Sequence, residues 1–153
     1  MPNQPLLLIS RYDLRDAAAG AAGERLIRKL ARLTRQGYHL LSVASQPDDW
    51  SSSVAVSRRS QPETKSIRQR VSEAGGHFDG VYYIPRSVLT QKKNRLDSLR
   101  DIMIRFGAEP ADVYLLSSGK KLLRAAESLG INPIMLSRKT PLDERLSDFI
   151  SKA

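Results

Sequence analysis

The sequence predicts an α/β fold, a single domain over residues 1–153 built on a parallel five-stranded sheet with helices on both faces. Three observations predict it. Short aliphatic runs alternate with longer amphipathic segments along most of the chain. Glycine or proline punctuates the boundaries, at Gly37, Gly75, Gly76, Pro85, Gly107 and Gly130. At 153 residues the chain can bury one sizeable core and leaves no room for a second domain.

Taken in order, Pro5 to Ile9 is a short buried strand. A long helix is expected from about Ala17 to Gln36, its inner face formed by Leu26, Ile27, Leu30 and Leu33, with Gly37 as a left-handed stop. Arg25, Arg28, Lys29, Arg32 and Arg35 fall on the other side, a solvated face or a track for phosphates. Tyr38 to Ala44 is the second strand. Gln46 to Arg59, which contains Asp48, Asp49 and Trp50, has no period and reads as a loop. Ser60-Gln61-Pro62-Glu63 is a capping box, so a helix starts there, with a narrow stripe of Ile67, Val71 and Ala74 that places it on the outside.

Phe78 to Pro85 is the third strand. Asn94 caps a helix with Leu96, Leu99, Ile102, Met103 and Phe106 inward. Asp112 to Leu116 is the fourth strand, and Ser118 caps the helix bearing Leu122, Leu123, Ala126 and Leu129. Ile134 to Leu136 is the fifth strand. The core thus spans about 5–138, and a closing helix over about 141–151 turns Leu146, Phe149 and Ile150 inward. Sites in parallel sheets gather at the carboxyl ends of the strands. Here that rim would collect Ser10 to Tyr12, Ala44 to Gln46, Arg86 to Lys93 and Ser117 to Lys121.

Composition narrows the function classes. Hydrophobic residues make up 41% and charged residues 27%, ordinary for a globular protein. No apolar stretch approaches the roughly 20 residues of a membrane span, and the first residues lack the basic region of a secretory signal. There is no cysteine, so neither a disulfide nor a thiolate metal site is possible. His39 and His77 have no metal-ligand spacing and read as structural or solvated. A cytoplasmic protein without cofactor or metal is expected. The net charge of +9 favours acidic partners: a phosphorylated small molecule, an acidic protein or nucleic acid. No nucleic-acid motif accompanies the charge.

Several segments together resemble a known family. Leu6-Leu7-Leu8-Ile9-Ser10-Arg11-Tyr12-Asp13 stands where its members carry an apolar run followed by Asp-Arg-Asp-Gly. Val43-Ala44-Ser45-Gln46 looks like a Val-Thr-Asn-Gln segment, and Asp79-Gly80-Val81-Tyr82-Tyr83-Ile84-Pro85 like Asp-Gly-Ile-Tyr-Tyr-Cys-Pro. Lys92-Lys93-Asn94 stands at Arg-Lys-Pro, and Tyr114-Leu115-Leu116-Ser117-Ser118 at Tyr-Met-Val-Gly-Asp. The chain thereby resembles the haloacid dehalogenase superfamily, in particular its capless heptose bisphosphate and histidinol phosphate phosphatase branch. The resemblance implies a Rossmann-like domain without a cap.

It also implies a site whose chemistry has been removed. Ser10 replaces the nucleophilic aspartate, Tyr12 the general acid/base, Ala44 the phosphate-binding hydroxyl, Ser118 a metal-binding aspartate and Leu122 a second acidic residue. A serine without a neighbouring base is a poor nucleophile, and the lost carboxylates would have held magnesium. Tyr12 is expected to fill the vacated metal pocket, and Trp50 to anchor its own loop or stack on a ligand. Lys93 survives. With Ser117, Ser118, Gly119, Lys120 and Lys121 it forms a candidate metal-free anion site, in which hydroxyls, backbone N–H groups and ammonium groups take the place of the metal. The same residues also read as a capped helix start with solvated lysines. The expected function is a catalytically inactive phosphatase-like domain that binds or regulates. The alternatives are a divergent hydrolase with a non-standard site and a nucleic-acid binder.

Overall fold

The computed structural model describes residues 5–45, 66–87 and 89–151. Its five strands are β1 (Leu6–Ser10), β2 (His39–Ser45), β3 (Gly80–Ile84), β4 (Val113–Ser117) and β5 (Asn132–Met135). They form one fully parallel sheet in the order β3-β2-β1-β4-β5. The helices are α1 (Arg11–Ala19), α2 (Gly23–Arg35), α3 (Ile67–Glu73), α4 (Gln91–Phe106), α5 (Lys120–Ser128) and α6 (Leu142–Ser151). The expected single α/β domain, with a five-stranded parallel sheet and no added cap among the described residues, is what forms.

The period-2 alternation of β1 divides the core. Leu7 and Ile9 pack on one face with Leu14, Leu26, Leu30, Leu33, Val71, Leu146 and Phe149, the face covered by α1, α2, α3 and α6. Leu6 and Leu8 pack on the other with Leu99, Ile102, Leu123 and Ala126 from α4 and α5. No helix among the described residues is long and apolar enough to cross a membrane.

Several boundaries depart from the sequence reading. The long helix expected from Ala17 is two helices. The first starts at Arg11, directly after β1, and buries only Leu14 and Ala18, too sparse a stripe to show as a period. The second starts at Gly23, where an added Cβ would lie 2.2 Å from the Ala18 carbonyl oxygen. Only glycine lets α2 begin so close beneath α1. It ends as expected at Gly37, whose φ of 102° closes a Schellman motif: Tyr38 N–H donates to Leu33 O, and Gly37 N–H to Thr34 O.

Asn94 is not a helix cap. The helix α4 starts one turn earlier, and Asn94 and Gln91 both donate side-chain amides to the Pro85 carbonyl, tying α4 to the end of β3. Nor does Ser118 cap α5: Gly119 is the cap residue, and its N–H donates to the Ser117 hydroxyl. The last strand comes two residues early, and Pro133 is tolerated in it because β5 is an edge strand. The helix α3 is capped by the Ser66 hydroxyl, which accepts from Gln69 N–H. The capping box at Ser60 to Glu63, Asp48, Asp49 and Trp50 lie outside the described residues.

Candidate functional site

Strand order reverses between β1 and β4, the switch point at which open parallel sheets form their ligand crevice. The carboxyl ends of the central strands gather the predicted residues there. Ser10 ends β1, Ala44 lies near the end of β2, and Ser117 ends β4. Ser118 and Gly119 follow at the turn into α5, and Lys93 sits in the first turn of α4, which the Pro85 contacts hold at the same edge. Leu122 is half-buried within α5 and packs on the core beneath it.

The side chain that organises the crevice is Asp13. It stands where the resembled family carries glycine, one position past Tyr12. Its first-turn location on α1 aims Oδ2 at the β4 exit, where it accepts from Ser118 N–H at 2.9 Å. The next amide, Gly119 N–H, donates to Ser117 Oγ at 2.9 Å, and Ser117 itself is buried. Two backbone donors of the candidate anion cradle, at Ser118 and Gly119, are therefore engaged within the chain. Lys120 and Lys121 are exposed beside it, and Lys93 is exposed at the β3 end of the same edge.

On the other side of β1, Arg11 Nη1 donates to Tyr83 Oη at 2.7 Å, and its guanidinium lies 5.6 Å from the ring centroid. Tyr83 is in register with Ala44. Arg11 therefore ties the ends of β1 and β3 together across β2, beside the position where the family carries a phosphate-binding hydroxyl.

Tyr12 does not fill a vacated pocket. Its side chain is 75% exposed. Leu14 and Ala18 face inward from α1, and Tyr12, two residues before Leu14, lies about 200° around the helix and points outward. Ser10 Oγ has no hydrogen-bond partner among the described residues. His39 and His77 flank Asp79 at the opposite, amino-terminal edge, with nitrogens 3.5 and 3.4 Å from its carboxylate oxygens. Among the described residues no three histidine, cysteine, aspartate or glutamate side chains are grouped to hold a metal ion.

Asp13 and Tyr83 were missed as site residues in the sequence. A readable signal for Asp13 existed: an acidic residue within three positions of a strand end is well placed in the first turn of a following helix. The polar run from Arg11 to Asp16 concealed that helix. Tyr83 had no comparable signal, because its partner Arg11 lies 72 residues away.

No protein-family profile matches the chain, and no curated protein matches it. Solved structures do. D,D-heptose 1,7-bisphosphate phosphatase from B. bronchiseptica, complexed with magnesium and phosphate, is similar at a TM-score of 0.71 and 17% identity, over 97% of this chain and 99% of that one. The corresponding phosphatase from Burkholderia thailandensis is similar at 0.59 and 18%, over 96% and 99%. A putative haloacid dehalogenase-like phosphatase from Mesorhizobium loti is similar at 0.58 and 15%, over 99% and 86%. The chain has the fold of these haloacid dehalogenase-like phosphatases.

Proposed function

We propose that this chain is a phosphatase-fold binding protein without magnesium-dependent phosphoryl transfer, acting in the cytoplasm on an acidic partner or phosphorylated ligand at the sheet rim. The observation that carries this is the Asp13–Ser118 hydrogen bond. Phosphoryl transfer on this fold calls for carboxylates free to attack and to hold a cation at the switch point. Among the described residues Asp13 is the carboxylate that reaches it, and it accepts from a backbone N–H.

The described rim residues do not fit a magnesium ion. Magnesium needs near-octahedral oxygen ligands, usually with one or two carboxylates, and Ser10, Tyr12, Ser118 and Leu122 supply none. Ser10 is no substitute nucleophile, since no base among the described residues bonds to it. What the rim does offer is positive charge and an exposed ring: Lys93, Lys120, Lys121 and Tyr12. An anion there is held by the ammonium groups of the lysines and the first-turn amides of α5, because the Ser118 and Gly119 amides already have acceptors.

The test is an assay with p-nitrophenyl phosphate and sugar bisphosphates across divalent metals. No turnover above background is expected. Turnover that survives purification and disappears in Ser10→Ala would overturn the proposal in favour of a divergent hydrolase.

A further inference from the structure

The face of α2 directed away from the sheet carries an arrangement that the rim does not use. Arg25, Arg28, Lys29 and Arg32 recur at i, i+3, i+4 and i+7, so they share one side of the helix. With Ser147 and Ile150 of α6 they line a cleft of about 330 Å³, within the range of roughly 300–1,000 Å³ typical of small-ligand sites.

Two of the four cations are accounted for. Lys29 Nζ lies 2.9 Å from Asp143 Oδ1 and donates to the Asp143 carbonyl at 3.1 Å and to Ser147 Oγ at 2.7 Å. Arg25 Nε lies 3.3 Å from Asp143 Oδ2. The Asp143 carboxylate, 20% exposed, is therefore neutralised and stitches α6 to α2. Arg28 and Arg32 are exposed and have no ion pair among the described residues. They stand one turn apart, where like charges repel.

We propose that this cleft binds a small phosphate-bearing ligand, clamped by Arg28 and Arg32, at a site separate from the sheet rim. Two neighbouring guanidinium forks match the oxygens of a phosphate or diphosphate, and a bound dianion removes their repulsion. Ile150 and the methylene stems of the arginines form an apolar wall for the organic part of the ligand. A small ligand fits better than a polynucleotide strand, because the cleft is about 330 Å³ and is lined from two turns of α2 and one turn of α6. Arg70 of the adjoining α3 is paired with Glu24.

The experiment is calorimetry on the full chain with inorganic pyrophosphate at low salt. The wild type is expected to bind, and Arg28→Gln with Arg32→Gln to weaken binding at least about tenfold. Arg100→Gln, which removes a cation of α4 that lines neither the cleft nor the rim, is expected to bind as the wild type does. Both arginines are exposed, so the substitutions leave the core untouched. On the wild type, pyrophosphate should shift backbone amide resonances over 25–32 and 147–150. Absence of binding, equal binding by the arginine variant, loss in Arg100→Gln, or shifts confined to 117–121 would each overturn the proposal. So would a short oligonucleotide that binds with steep salt dependence where pyrophosphate does not. The phosphatase assay is indifferent to all of these outcomes, so this site and the rim fail separately.

Discussion

Asp13 at the sheet rim and Asp143 on the α2–α6 face occupy comparable positions, each in the first turn of a helix and each reaching across to another element. Their surroundings differ in balance. At the rim, two backbone N–H groups meet two acceptors, Asp13 Oδ2 and Ser117 Oγ. On the α2–α6 face Asp143 pairs with Arg25 and Lys29, and Arg28 and Arg32 line the same cleft without a carboxylate partner among the described residues. A surplus of nine charges over the whole chain does not by itself locate a binding site. The location follows from where the acids are already engaged and where cations are left over.

The largest expected effect breaks both regions together. Gly23 lies where α1, which carries Asp13, meets α2, which carries the arginines. In Gly23→Ala the new methyl meets the Ala18 carbonyl oxygen at 2.2 Å, backbone that cannot rotate aside. A loss of about 3 kcal/mol is expected in chemical denaturation. Wild-type stability would deny the close packing of α1 on α2.

Next comes Asp143→Ala, which removes the carboxylate from Lys29 and Arg25. With both Lys29 and Asp143 only 20% exposed, the expected loss is about 2 kcal/mol, between the values for surface and buried pairs. Pyrophosphate affinity in the cleft should rise in the same variant. A stable protein with unchanged affinity would remove Asp143 from the comparison.

Asp13→Ala is smaller, about 1 kcal/mol, because it removes one hydrogen bond near the surface. Its sharper readout is binding. The freed Ser118 N–H becomes available to an anion, so phosphate affinity at the rim should rise and fall again with salt. No gain in phosphate binding would show that the lysines and the first-turn amides of α5 set the affinity there.

The smallest effect involves a carboxylate that belongs to neither region. Asp101 accepts from Tyr82 Oη at 2.6 Å, and Arg105 Nε lies 3.0 Å from the same oxygen. The Tyr82 hydroxyl, with help from Arg105, holds the Asp101 carboxyl below its ordinary value. A lowered carboxyl stabilises the fold above the unfolded range near about 4, and the contribution fades as pH falls through the lowered value. The stability gap between wild type and Tyr82→Phe should therefore be constant from neutral pH down to about 5 and narrow in stronger acid. A gap independent of pH across that window would remove the Tyr82 hydroxyl as the cause.

The two regions also differ in how far the sequence disclosed them. The stripe of Arg25, Arg28, Lys29 and Arg32 was legible, because a helix face is a local repeat. At the rim, Ser10, Ala44, Ser118 and Lys93 were placed at the correct edge, since each follows or ends a strand. The roles nearby were misread where a boundary was misplaced. Tyr12 was put into a pocket because α1 was expected six residues too late, and Ser118 was given the cap that Gly119 supplies. An error of a few residues in a helix start rotates every side chain of its first turn.

By itself the sequence determined the alternation of strand and helix, the buried strand of Leu6 to Ile9, the stop at Gly37 and the basic side of α2. These depend on periods of 2 and 3.6 residues and on a backbone conformation that glycine adopts without strain, all properties of neighbours in the chain. Only the tertiary structure decided that Asp13 would occupy the Ser118 amide across 105 residues, and that Asp143 would neutralise Lys29 and Arg25 across more than 110. A carboxylate takes whichever donor the packing of its helix brings within about 3 Å, and no local pattern records which one that will be.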